Sequence, residues 1–134
     1  MGSYEEETIS AEEMSEQQKR ALGEIKTHFA DKNVVLLKGH VNVLATPAGE
    51  VREIGPLSSA LSTAGTGDVL AGILGSLLAA NHDRVIASEA EFLNTIELAV
   101  LLHSQAAELA SEDGPVSALD VAESVRKVIA KNRG

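Results

Sequence analysis

The stretch Ser62-Thr63-Ala64-Gly65-Thr66-Gly67-Asp68-Val69-Leu70-Ala71-Gly72, continued by ILGSLLAA to Ala80, sets a loop of small residues directly against an apolar run. Asp68 to Ala80 is apolar nearly all round, which predicts a helix buried on most sides. Its 13 residues are too few to span a bilayer. Gly65 and Gly67 allow backbone angles that other residues avoid, and they let a ligand come close to the main chain. The first N–H groups of a helix have no partner inside it and sit at the positive end of its macrodipole. A small-residue loop entering a helix therefore suits a phosphate. Gly65, Thr66 and Gly67 are candidate phosphate-binding residues on this ground, with Asp68 beside them. A carboxylate in that place can also be the N-cap of the helix, with the glycines no more than a tight turn. The run has neither the Lys that follows the last Gly of a phosphate loop nor the third Gly of a dinucleotide fingerprint. Spacing alone leaves both readings open.

Outward from this stretch, the order of the chain reads as one helix, then three strands, then three helices. Val34-Val35-Leu36-Leu37 is a short β-branched run bounded by Asn33 and Lys38-Gly39, the pattern of a buried strand. Val41 to Ala45 and Glu50 to Ile54 flank Thr46-Pro47-Ala48-Gly49, which predicts a β-hairpin. Gly55 to Ala64 reads as a loop. On the N-terminal side, Ser10 with Glu13 has capping-box spacing, and Met14, Ala21, Leu22, Ile25 and Phe29 form one stripe of a helix that ends near Ala30. Beyond the central run, Asn81-His82-Asp83-Arg84 reads as a connection. A long helix from Ser88 to about Glu112 carries Phe92, Ile96, Ala99, Val100, His103 and Ala107 at helical spacing. Asp113-Gly114-Pro115 stops it, and a last helix starts at Ser117 with Leu119, Val121, Val125, Val128 and Ile129 as its apolar set. Three strands are a small sheet for a helix as apolar as 68–80.

Composition narrows the function classes. The 134 residues contain 2% aromatics and no Cys, so the core is aliphatic, and disulfides, thiol nucleophiles and Cys-bound metals are excluded. Stacking platforms for single-stranded nucleic acid are excluded by the same shortage of aromatics. The net charge of −9 has the wrong sign for a phosphate backbone or an anionic membrane. Residues 1–31 alone carry −5 of it, and residues 1–9 read as a flexible acidic leader ahead of a domain spanning 10–134. With neither a signal-peptide pattern nor a long apolar run, a soluble cytoplasmic protein is expected, with no nucleic-acid or membrane partner. His28, His40, His82 and His103 share no metal-ligand spacing, so no metal site is expected in the chain itself. His103, on an apolar face, reads as a hydrogen-bonded core residue.

The run STAGTGDVLAGILGSLLAA resembles the signature of ribokinase-like enzymes, in which Gly-x-Gly-Asp opens a helix at the active site. Within them it is most similar to the ADP/ATP-dependent NAD(P)H-hydrate dehydratase family. Val34 to Gly39 resembles that family's strand ending in Lys-Gly. Leu101-Leu102-His103-Ser104-Gln105-Ala106-Ala107 is similar to its long helix after the signature, and Ser117-Ala118-Leu119-Asp120 to the start of its final helix. The resemblance extends over residues 10–132 and implies an α/β fold. More narrowly, it implies the C-terminal half of a ribokinase-like fold, a small sheet with a β-hairpin packed by about four helices.

The same resemblance implies a lyase that uses ADP or ATP to dehydrate hydrated NADH or NADPH, and a bound nucleotide is expected to bring Mg²⁺ with its phosphates. It gives Asp68 the role of acid/base against the hydrated nicotinamide nucleotide. Lys38, Gly39, His40, Val41, Asn42 and Gly67 fall where the family binds the adenine nucleotide. Asn42 stands where the family usually has Thr, and Pro56-Leu57-Ser58-Ser59 departs from its Asn-Pro-Gly type of loop. Because only a C-terminal half is matched, the chain is expected to self-associate as a homo-oligomer or to need a complementary N-terminal half. Whether it acts alone is left open. Two other readings remain: a ribokinase-like kinase of a small molecule such as a vitamin precursor, with Asp68 as base, and a non-catalytic half-domain that binds a nucleotide or a partner chain.

Overall fold

Residues 33–133, together with Glu16 and Arg20, are described by a computed structural model. The leader read for residues 1–9 and the helix read from Ser10 to Ala30, those two residues apart, lie outside the described residues. The chain divides into two units, residues 1–56 and 57–134.

In the first unit, β1 (Val35–Leu37), β2 (Asn42–Ala45) and β3 (Val51–Ile54) form an antiparallel sheet in the order β1-β2-β3. Leu36 pairs with Leu44 across β1 and β2, and Leu44 with Arg52 across β2 and β3. Alternation puts Val43 and Ala45 on one face, where they pack with Val35 and Leu37. Leu44 points to the other face and is also fully buried, so the central strand is covered on both sides. This explains why its sequence lacks the polar alternation of a half-exposed strand. The hairpin loop closes where Thr46 N–H donates to the Glu50 carbonyl at 2.9 Å and Gly49 N–H to the Thr46 carbonyl at 3.0 Å. Gly49 takes φ +93° there, a conformation that disfavours a side chain.

The second unit is helical. A 3₁₀ turn (Ser59–Ser62) interrupts the segment read as a loop, and α1 (Thr66–Ala80), α2 (His82–Ala87), α3 (Glu89–Ser111) and α4 (Ala118–Asn132) follow. Helix α3 is the hub, packed by α1, α2 and α4. Its buried stripe of Leu93, Ile96, Ala99, Val100, His103, Ala106 and Ala107 matches the helical spacing of the sequence. Leu70 and Ile73 of α1 and Val121 and Val128 of α4 complete the core. Ser88 caps α3 by accepting from Glu91 N–H at 3.3 Å.

Three expectations are corrected. Helix α1 is not buried on most sides, because it buries only Thr66, Leu70 and Ile73. It lies on α3 and α4 by one face, and Ala71, Gly72, Gly75, Ser76 and Ala79 stay exposed. Small side chains expose little apolar area each, so this face is cheap to leave in water. The second correction is that Asn81 to Arg84 is no plain connection. The Asn81 amide side chain folds back to donate to the Leu77 carbonyl at 2.8 Å, ending α1. Its own carbonyl accepts from Arg84 and Val85, which starts α2. Lastly, Leu119 and Ile129, read as part of the apolar face of α4, are exposed. Among the described residues no helix is long and apolar enough to cross a membrane.

Candidate functional site

The start of α1 gathers four of the sequence-predicted residues. Gly65 is the N-cap, with φ +86° in the left-handed region that favours glycine. No side chain caps this helix, whereas Ser88 and Ser117 cap α3 and α4. The Thr66 and Asp68 amides donate to the Thr63 and Gly65 carbonyls at 3.4 and 3.1 Å, so a ligand at this end would meet the Gly67 amide and the positive end of the helix. A Cβ at Gly65 would stand 3.2 Å from the Cβ of Ala118, so the first residue of α4 and the N-cap of α1 are in close approach.

Asp68 is the third residue of α1, and its N–H donates to the Gly65 carbonyl at 3.1 Å. This corrects the reading of Asp68 as N-cap. A left-handed Gly65 turns the chain into the helix earlier, and the carboxylate stands in the first turn instead. There it is exposed, and the positive end of the helix favours its charge. An exposed carboxylate so placed can accept a proton from a bound hydroxyl.

Thr66 differs from its neighbours. It is 5% exposed, and its hydroxyl lies 2.8 Å from the Leu61 carbonyl and 2.9 Å from that of Thr63. The side chain is engaged with the loop behind the helix. Gly67 is half-buried and next to Asp68.

The other five candidates lie together in the first unit, in the turn from β1 to β2. Lys38, Gly39 and His40 are exposed, Val41 is half-buried and Asn42 opens β2 fully buried. The Asn42 side-chain carbonyl accepts from Gly39 N–H at 3.1 Å, which fastens the turn. A threonine in this place has a shorter side chain; asparagine reaches back three residues with a carbonyl oxygen.

Sequence reasoning missed what holds the loop ahead of α1. Ser58 N–H donates to Ser104 Oγ at 2.9 Å, across 46 residues of sequence. The only signal available was a serine inside the apolar stripe of the long helix. His103 is buried on that same stripe, and His40 and His82 are exposed. Among the described residues no three His, Cys, Asp or Glu side chains could hold a metal ion. A groove of about 300 Å³ between α3 and α4, lined by Glu108, Leu109, Glu112, Val128 and Lys131, contains none of the predicted residues.

Comparison with known proteins gives the family. An ADP-dependent (S)-NAD(P)H-hydrate dehydratase of Natrialba magadii is 43% identical over 98 residues, covering 72% of this chain and 34% of that protein. A bifunctional NAD(P)H-hydrate repair enzyme of Mycobacterium leprae is 38% identical over 96 residues, covering 72% of this chain and 20% of its own length. An ADP-dependent (S)-NAD(P)H-hydrate dehydratase of Neisseria meningitidis is 51% identical over 45 residues, covering 34% of this chain and 15% of that protein. The chain thus spans about a third or less of the relatives it matches. No solved structure gives a significant match. The family model for NAD(P)H-hydrate dehydratase matches residues 7–129. That match takes in both the Lys38 turn and the start of α1, and the chain belongs to the NAD(P)H-hydrate dehydratase family.

Proposed function

We propose that this chain contributes the nucleotide end and the acid/base of an adenine-nucleotide-dependent dehydration of hydrated NADH or NADPH. The observation that carries the proposal is the start of α1, a glycine N-cap with no side-chain cap and an exposed Asp68 in the first turn. Hydroxide is a poor leaving group from a saturated ring carbon, and phosphoryl transfer from the nucleotide turns it into a good one. Asp68 takes the proton of the substrate hydroxyl as its oxygen attacks phosphorus. Gly65 and Gly67 let the transferring phosphoryl approach the helix start, where the Gly67 amide and the positive end of the helix stabilise its charge. The turn of Lys38, Gly39, His40, Val41 and Asn42 is proposed, on the family resemblance, to bind the adenine nucleotide, with Lys38 as its mobile positive charge. A divalent cation such as Mg²⁺ would be carried by the nucleotide rather than by side chains of this chain, and would supply positive charge to the phosphoryl group.

The rest of the substrate pocket is proposed to come from a complementary N-terminal half or from a second copy. The test is a calorimetric titration of ADP and AMP into the purified chain, repeated on Lys38→Ala and Asp68→Asn. Lys38→Ala is expected to weaken ADP by about 10- to 100-fold, the worth of a charge-assisted hydrogen bond. Asp68→Asn leaves ADP affinity nearly intact and abolishes turnover in the complemented enzyme. No ADP uptake by the chain at millimolar concentration, alone and with the N-terminal half of a relative, overturns the proposal.

A further inference from the structure

Two buried hydroxyls on different helices converge on the loop that leads into α1. Ser104, 7% exposed on the buried face of α3, accepts from Ser58 N–H at 2.9 Å. The Ser58 carbonyl accepts from Leu61 N–H at 3.2 Å, and the Leu61 carbonyl accepts from the Thr66 hydroxyl at 2.8 Å. The same hydroxyl lies 2.9 Å from the Thr63 carbonyl. A continuous hydrogen-bonded path therefore runs from α3, through the 3₁₀ turn, to the first residue of α1. Every link lies within residues 57–134. Buried polar groups joined in this way fix one loop conformation, because breaking one link leaves its partner unsatisfied.

We infer that Thr66 and Ser104 are positioning residues that clamp the loop 58–65 and so hold Gly65 left-handed at the head of α1. The inference rests on the proposed function only for what the clamp serves; the clamp itself stands on the geometry. Neither side chain reaches outward to a ligand. Each acts through the backbone of the loop, so that a phosphate arriving at the helix start meets a surface already ordered and pays no cost of ordering it.

Thr66→Val keeps the size and the buried methyl but removes the hydroxyl, while Thr66→Ser keeps the hydroxyl and removes the methyl. Comparing them separates hydrogen bonding from packing. Two readouts are taken on the full chain, complemented where uptake requires it: the affinity for ADP and the hydrogen exchange of the Ser58 and Asp68 amides. Thr66→Val is expected to weaken ADP and to speed Asp68 exchange by about tenfold, as loss of a buried hydrogen bond would, and Thr66→Ser to stay within roughly threefold of the parent on both. Amides of α3 between Ala99 and Ala107 should exchange as in the parent. Ser104→Ala accelerates Ser58 exchange and weakens ADP in the same direction, and it carries the test alone if Thr66→Val does not fold. Unchanged exchange in Thr66→Val, or equal impairment in Thr66→Ser, overturns the clamp. If the parent takes up no ADP, the functional reading falls, while exchange at Asp68 and Ser58 still decides for or against the clamp.

Discussion

Asp120 shows how one carboxylate fixes the start of a helix without any burial. The Ser117 hydroxyl donates to Asp120 Oδ2 at 2.7 Å and the Ser117 N–H to the same oxygen at 2.8 Å. In return Asp120 N–H donates to Ser117 Oγ at 3.2 Å, the reciprocal arrangement of a capping box. The hydroxyl first, and the backbone amide second, hold the Asp120 carboxyl below its ordinary value. A carboxyl whose pKa is depressed in the folded state lends stability that is complete above its unfolded pKa and fades as pH falls through the folded one. The Asp120 titration followed by NMR should therefore have a midpoint below that of a free aspartate. Ser117→Ala should raise it part of the way towards the ordinary value, since the backbone amide still donates, and fray the first turn of α4. An unshifted midpoint in the parent would remove the cap from the account of this helix.

Among the elements, α1 offers the sharpest contrast, because its glycines look alike in sequence and differ in structure. Gly65 sits at φ +86° with Ala118 in the way of a side chain, whereas Gly72 and Gly75 lie inside the helix with nothing within 4 Å of a Cβ. Gly65→Ala should cost about 1–3 kcal/mol, through the left-handed backbone and the close approach to α4. Gly72→Ala should instead raise stability by roughly 0.5–1 kcal/mol, the propensity gain of a helix interior. Thermal melts of the two variants check the opposite signs. The periodicity of Phe92 to Ala107 and the bounded run Val35 to Leu37 made α3 and β1 legible, since each face is set by local spacing. The start of α1 was not, because the residue that decides it is a glycine answering to Ala118, 53 positions away. Local spacing likewise could not show that Asn81 would end one helix and begin another, or that Ser58 would find Ser104. The Gly-x-Gly-Asp run was legible as a candidate from residue type, with a plain turn as its alternative, and the Lys38 turn only through the family resemblance. The conversion of Asp68 from cap to first-turn carboxylate needed the backbone.

For the whole molecule the telling quantity is exposed apolar surface set against charge. Ile86 is 70% exposed and Leu119 66%, and Leu98 and Leu101 share the outer side of α3. Beyond Asp68, the outer face of α1 carries only small residues. If copies of the chain associate, these side chains are the apolar surface they would bury. Against it stands a net charge of −9, which makes copies of the chain repel one another. The repulsion is screened within about 10 Å at 0.1 M salt and within about 3 Å at 1 M, while apolar attraction does not weaken with salt. Self-association should therefore rise as salt rises, the reverse of an assembly held by ion pairs. Light scattering on a size-exclusion column, run at low and high salt, reads this directly. Adding the N-terminal part of a relative such as the Natrialba magadii enzyme should replace the self-associated form with a one-to-one complex and raise ADP affinity. A chain that stays an ideal monomer at every salt concentration, and binds ADP no better with the added part, would show that its exposed apolar side chains meet only water.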